Sequence, residues 1–160
     1  MSDRRIVKLD LDEHTVLRRN PDIEHERAIA IFDLLEENSF SLLDAEGKDV
    51  PGPFHLILGI EDNRLVFDIR RESGEGLDRL LLSLAPFRGI VKDYFLVCES
   101  YFDAIKRASP TQIEAIDMGR RGLHNEGSEL LRDELKDKVL LDLDTARRLF
   151  TLLCVLHIRG

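Results

Sequence analysis

With 160 residues, 43% of them hydrophobic and 34% charged, the chain has the make-up of one globular domain and is neither disordered nor fibrous in composition. Its net charge of −8 works against general affinity for nucleic acid or an anionic membrane. A local basic site stays open, because arginines recur in pairs: Arg18-Arg19, Arg70-Arg71, Arg120-Arg121 and Arg147-Arg148.

The chain shows no repeat, no low-complexity segment and no long linker, so residues 1–160 are expected to form a single domain. The longest apolar run, 152–156, is far below the roughly 18–20 residues of a membrane span. Behind Met-Ser-Asp-Arg-Arg stands no hydrophobic region, so no secretory signal is expected. Cys98 and Cys154 lie in apolar helical patterns, which reads as two buried free thiols in a reducing cytoplasm rather than a disulfide or a nucleophile.

In chain order, residues 6–11 alternate as a short strand with Val7, Leu9 and Leu11 on one side. Asn20 is a favoured N-cap and Pro21 suits the first helical position, opening a helix to about residue 38. Its apolar arc is wide, and Glu24 and Arg27 fall inside that arc at a spacing that lets them pair. Residues 39–43 fit a strand and 45–53 a loop. Residues 54–60 and 65–69 alternate on either side of Asp62-Asn63, a pair tolerant of positive φ, which predicts a hairpin. His55 points away from the apolar face. After a second turn, 77–84 fits another antiparallel strand.

Pro86 begins a helix to about residue 108, whose stripe of Ile90, Val91, Tyr94, Phe95, Cys98, Tyr101, Phe102 and Ile105 reads as core rather than a cofactor box. Ser109-Pro110 caps the next helix, to about residue 135, and 138–143 is a short strand. Asp144 is expected to cap a last helix that is apolar nearly all round and therefore buried at the centre of the fold. Its slim polar edge is Arg147, Arg148 and Thr151. If these arginines are buried they need acidic partners, for which Glu24, Glu99 and Asp117 are available. The expected architecture is α+β: a mostly antiparallel sheet of five or six short strands packed with three or four helices.

Residues 117–129 depart from ordinary core and surface, with three glycines, two arginines, a histidine and three acids on one helix. On a helical wheel Ile116, Gly119, Leu123, Gly127 and Leu130 form a stripe, with Gly119 and Gly127 expected to let a neighbouring backbone come close. Each glycine costs about 1 kcal/mol against alanine inside a helix. Gly122 lies off the stripe and marks a kink, a break or a place where a ligand meets backbone. Asp117, Arg121, His124 and Ser128 share the adjoining face, with Arg120 at its edge. Arginine binds carboxylate or phosphate bidentately and histidine titrates near neutral pH, so this face fits anion recognition or acid/base work. The competing reading is a solvated helix with Asp117–Arg120 and Asp117–Arg121 salt bridges.

Glu24-His25-Glu26-Arg27 matches no metal-site spacing, and His14, His55 and His157 stand alone. Neither a metal nor a cofactor is expected. No phosphate loop, serine elbow or CxxC motif is present.

Residues 23–40, 116–127 and 145–157, together with 91–95, resemble uncharacterised protein family 0262, a bacterial group of small cytoplasmic proteins. The resemblance covers essentially the whole chain. It implies a bacterial, intracellular protein and carries no catalytic residues to transfer.

The expected function is a non-enzymatic binding or regulatory module. Its candidate face is Asp117, Arg120, Arg121, Gly122, His124 and Ser128, aided by Arg147 and Arg148, and it recognises an acidic protein partner or a small anion. The alternative is a small enzyme with Asp117 and His124 as acid and base on an anionic substrate.

Overall fold

A computed structural model describes residues 3–12 and 21–157. Among these residues seven strands and four α-helices follow in the order β1 (Ile6–Leu11), α1 (Pro21–Glu36), β2 (Phe40–Leu43), β3 (Asp49–Val50), β4 (Phe54–Glu61), β5 (Arg64–Arg71), β6 (Gly76–Ser83), α2 (Arg88–Arg107), α3 (Pro110–Leu135), β7 (Val139–Leu141) and α4 (Leu143–His157). A short 3-10 turn, Ala85–Phe87, leads into α2. The class is α+β.

The strands divide between two sheets rather than forming one. The larger has the order β1-β4-β5-β6 and the smaller β3-β2-β7. The division falls at Pro51 and Pro53, which have no N–H to give to a ladder. The chain leaves the small sheet at Val50 and enters the large one at Phe54. β3 lies inside the segment expected to be loop only. All pairings are antiparallel except β1 with β4. The β4–β5 hairpin turns on Asp62 and Asn63, with φ of 51° and 61°, as its turn chemistry predicts.

β1 does not alternate as expected. Its register against β4 slips between Ile6 and Lys8, which sets Val7 out of the pairing and leaves Ile6 and Leu9 as the buried residues. A bulge of this kind re-aims side chains on one strand. The Asn38 side chain then joins β1 to the end of α1. It donates to the Leu34 carbonyl at 2.7 Å and the Ile6 carbonyl at 2.9 Å, and accepts from the Ile6 N–H at 2.7 Å.

One apolar core joins both sheets to all four helices. From α4 it takes Ala146, Leu149, Phe150, Leu152, Leu153, Cys154 and Leu156, and α4 packs against α1, α3 and β4, so the last helix is central. Its cap is Asp142, not Asp144. The Asp142 carboxylate accepts the Thr145 N–H at 2.9 Å, and the helix is already under way at Leu143. α3 carries a full capping box at Ser109 and Gln112 and runs unbroken through Gly119, Gly122 and Gly127. Asn20, the expected cap of α1, and His14 lie outside the described residues.

Candidate functional site

The polar edge of α4 is half-buried rather than open on a free surface. Because α4 sits between α1 and α3, Arg147, Arg148 and Thr151 open onto a cleft of about 740 Å³ between those helices. From α3 the wall receives Met118, Arg120, Arg121, Gly122, His124 and Asn125, from α1 Glu26, Ile29, Ala30 and Asp33, and from α2 Tyr94. That volume lies in the range of small-molecule sites, roughly 300–1,000 Å³.

His124 forms the inner part of the wall. Its ring lies between Tyr94 and Phe150, with centroids at 5.4 and 5.3 Å. Its Nε2 is 2.8 Å from the Thr151 hydroxyl, which donates its own proton to the Arg147 carbonyl at 3.2 Å. With that proton committed, the hydroxyl accepts from the ring, which assigns the neutral Nε2–H tautomer and leaves Nδ1 as an acceptor. Burial, and then the positive fields of Arg120 and Arg147, push the histidine pKa down to about 4. The ring is therefore uncharged at neutral pH. Burial raises the Tyr94 hydroxyl well above its ordinary value, so it too is neutral.

The four arginines are held differently. Asp117 serves two of them, Arg120 at 2.7 Å and Arg121 at 3.1 Å. The hydrogen bond from Arg120, chiefly, holds the Asp117 carboxyl below its usual range. Arg120 also lies over the Tyr101 ring at 5.4 Å, while Arg121 keeps 60% of its side chain exposed. Arg147 donates to the Asn125 amide oxygen at 2.9 Å and stands 3.6 Å from Asp144. Arg148 donates to the Glu37 carbonyl at 3.3 Å and has no carboxylate in ion-pair range among the described residues. The half-buried pair Arg147 and Arg148 thus does not use Glu24, Glu99 or Asp117. Arg147 has Asp144 and an amide oxygen, Arg148 a carbonyl oxygen, and these suffice because both side chains still reach solvent.

Of the candidate residues, the structure brings Arg120, Arg121, Gly122, His124, Arg147 and Arg148 to one cleft. Asp117 stands behind the arginines as their counter-ion rather than on the wall. Ser128 is fully buried and donates to the His124 carbonyl at 2.7 Å, away from the cleft.

The glycines separate too. A Cβ on Gly127 would overlap the Phe150 ring, so this glycine admits an aromatic side chain and not a neighbouring backbone. Around Gly119 a Cβ would find open space, so the expected close packing is absent there. Gly122 is equally unobstructed, and its open side is the cleft.

Sequence reasoning missed Tyr94, Asn125, Glu26, Asp33, Ile29 and Met118 as wall residues. Thr151 carried a signal, since it shares the polar edge of α4 with the arginines. The acids of α1 carried none, because only the packing of α1 on α4 brings them opposite. No group of three or more His, Cys, Asp or Glu residues able to hold a metal occurs among the described residues. Among those residues no helix is long and apolar enough to cross a membrane.

The chain is 60% identical over 159 residues to the UPF0262 protein of Bradyrhizobium diazoefficiens, covering 99% of this chain and 94% of that one. With the UPF0262 protein of Rhodospirillum rubrum it shares 59% over 155 residues, covering 97% and 93%. With that of Azorhizobium caulinodans it shares 60% over 157 residues, covering 98% and 95%. No solved structure matches it. These bacterial relatives carry only the family name, and the family model matches residues 3–159; the chain belongs to the uncharacterised protein family UPF0262.

Proposed function

We propose that this protein is a binding module that takes up a small anion in the cleft between α1, α3 and α4. The observation supporting this reading is the convergence of two arginine pairs from different helices on one concavity. Four guanidiniums line it with the carboxylates of Glu26 and Asp33, while from outside the wall Asp117 pairs with Arg120 and Arg121 and Asp144 stands 3.6 Å from Arg147. In a chain of net charge −8, capture depends on this local arginine cluster, in which Arg148 has no carboxylate in ion-pair range among the described residues, and not on the field of the whole protein. Guanidinium forks grip carboxylate or phosphate bidentately, while the neutral His124, its Nε2–H given to Thr151, adds no charge to the wall.

A concave wall of this size favours a small molecule over the flatter face of an acidic protein partner. Acid/base catalysis by Asp117 and His124 fits less well. Both are unprotonated at neutral pH, and neither therefore offers a general acid there. The bacterial cytoplasm is the compartment proposed, supported by the buried free thiols Cys98 and Cys154. Nucleic acid and membrane stay outside the proposal on the strength of the acidic net charge.

The test is calorimetric titration with inorganic phosphate, citrate and acetate. Gly122→Leu puts a side chain into the cleft from a position with no neighbour to displace, and Arg121→Ala and Arg148→Ala each remove a guanidinium. The two arginine variants should weaken binding about tenfold or more, as loss of a charge-assisted hydrogen bond implies, and Gly122→Leu should weaken it by occupying the cleft, all with folding intact. Gly119→Leu, off the cleft wall, should bind as wild type. Absence of binding for every anion, or undiminished affinity in all three cleft variants, would overturn the reading.

A further inference from the structure

The same cleft carries a second, apolar character that a simple anion site does not need. Ile29 on α1 and Met118 on α3 both line it, yet they stay 45% and 61% exposed. Phe32, one helical turn beyond Ile29, is 64% exposed. Exposed apolar side chains scattered singly are ordinary, but Ile29 and Met118 share one arginine-lined cleft. α1 and α3 each supply part of the wall, so a ligand with an arm long enough reaches both.

Resting on the anion-binding reading, we propose that the ligand is an amphipathic organic anion. Its carboxylate or phosphate lies against Arg121 and Arg148, and its apolar arm runs between Ile29 and Met118. The two groups divide the work. Arg148 has no carboxylate of its own among the described residues and Arg121 shares one, so both have hydrogen-bonding capacity for an incoming oxyanion. Ile29 and Met118 leave 45% and 61% of their surface exposed, and covering them with an alkyl or aryl arm removes apolar surface from water on both partners. Gly122, on the same stretch of α3 as Arg121 and Met118, lines the cleft with no neighbour in reach of a Cβ, which leaves room for the join between head and arm.

The probes are the straight-chain carboxylates acetate, butyrate, hexanoate and octanoate, all below their micellar concentrations, titrated against the full-length protein with inorganic phosphate alongside. Affinity should rise about three- to fourfold per added methylene until the cleft is filled, the increment that about 0.8 kcal/mol per buried CH₂ implies. In Ile29→Asn and Met118→Gln the increase along the series should flatten while phosphate binds as before. Both positions are exposed, and a thermal melt checks that each variant folds. Phosphate binding with an affinity for carboxylates independent of chain length would overturn the amphipathic ligand and leave the anion site standing. An unchanged slope in both variants would likewise overturn it. Failure of every anion to bind would sink the underlying reading and this one together. Binding to vesicles of phosphatidylglycerol in preference to soluble octanoate would replace the small ligand with a membrane surface.

Discussion

At the scale of single residues, the side chains of the cleft owe their properties to what lies behind them. Asp117 sets the orientation of Arg120 and Arg121 without entering the site, and Thr151 sets the tautomer of His124. His124 gives the clearest test. Its pKa is near 4 in the fold against 6.5 in the unfolded chain, so between those values unfolding takes up a proton. Its contribution to stability is fully present above about pH 6.5 and is lost as the pH falls through about 4. Urea denaturation should show wild type losing on the order of 2–3 kcal/mol more than His124→Gln between pH 7 and 4.5. Equal losses in the two proteins would mean that the ring is not shielded as the structure has it. That a histidine stood on this face was legible from spacing alone. Its neutrality was not, because burial between Tyr94 and Phe150 comes from α2 and α4.

At the scale of elements, periodicity and capping chemistry located every helix and most strands, since these depend on neighbours a few residues away. The misplaced details have local tertiary causes. The α4 cap moved from Asp144 to Asp142 because β7 delivers the chain into the helix two residues earlier than the side-chain pattern suggests. The alternation of β1 broke at a bulge whose partner is β4, far along the chain. The glycines of α3 show the same dependence. Gly127→Ala would drive a methyl into the Phe150 ring, and overpacking of this kind costs about 1–3 kcal/mol. At Gly119, where space is open, alanine should instead stabilise by up to about 1 kcal/mol through helix propensity. Denaturation midpoints moving in opposite directions for the two variants would bear this out, and a shared direction would contradict it.

At the scale of the whole molecule, both sheets and all four helices contribute to one apolar cluster, which predicts unfolding as a single cooperative unit. Cys98 on α2 and Cys154 on α4 are both buried in it, and burial raises the pKa of each thiol. Both should stay unreactive toward a thiol reagent in the native protein and become accessible together, at the denaturant concentration where helix is lost. Two separated midpoints, followed by mass spectrometry of each cysteine, would divide the chain into independent units.

The cleft is likewise a property of the whole molecule, since it exists only where three helices converge. The sequence by itself determined the α+β class, the helices and their apolar stripes, and the family, because hydrophobic period, caps and extended similarity are all written along the chain. It also determined that arginines recur in pairs and that the stretch around Gly122 is anomalous. Only the tertiary structure decided that Arg120-Arg121 and Arg147-Arg148 face one cavity, that Ser128 turns inward and that α1 brings acids and exposed apolar side chains to the opposite wall. The physical reason is the packing of α4. A helix buried on nearly every side must be wrapped by its neighbours, and its one polar edge then becomes the floor of whatever space those neighbours leave.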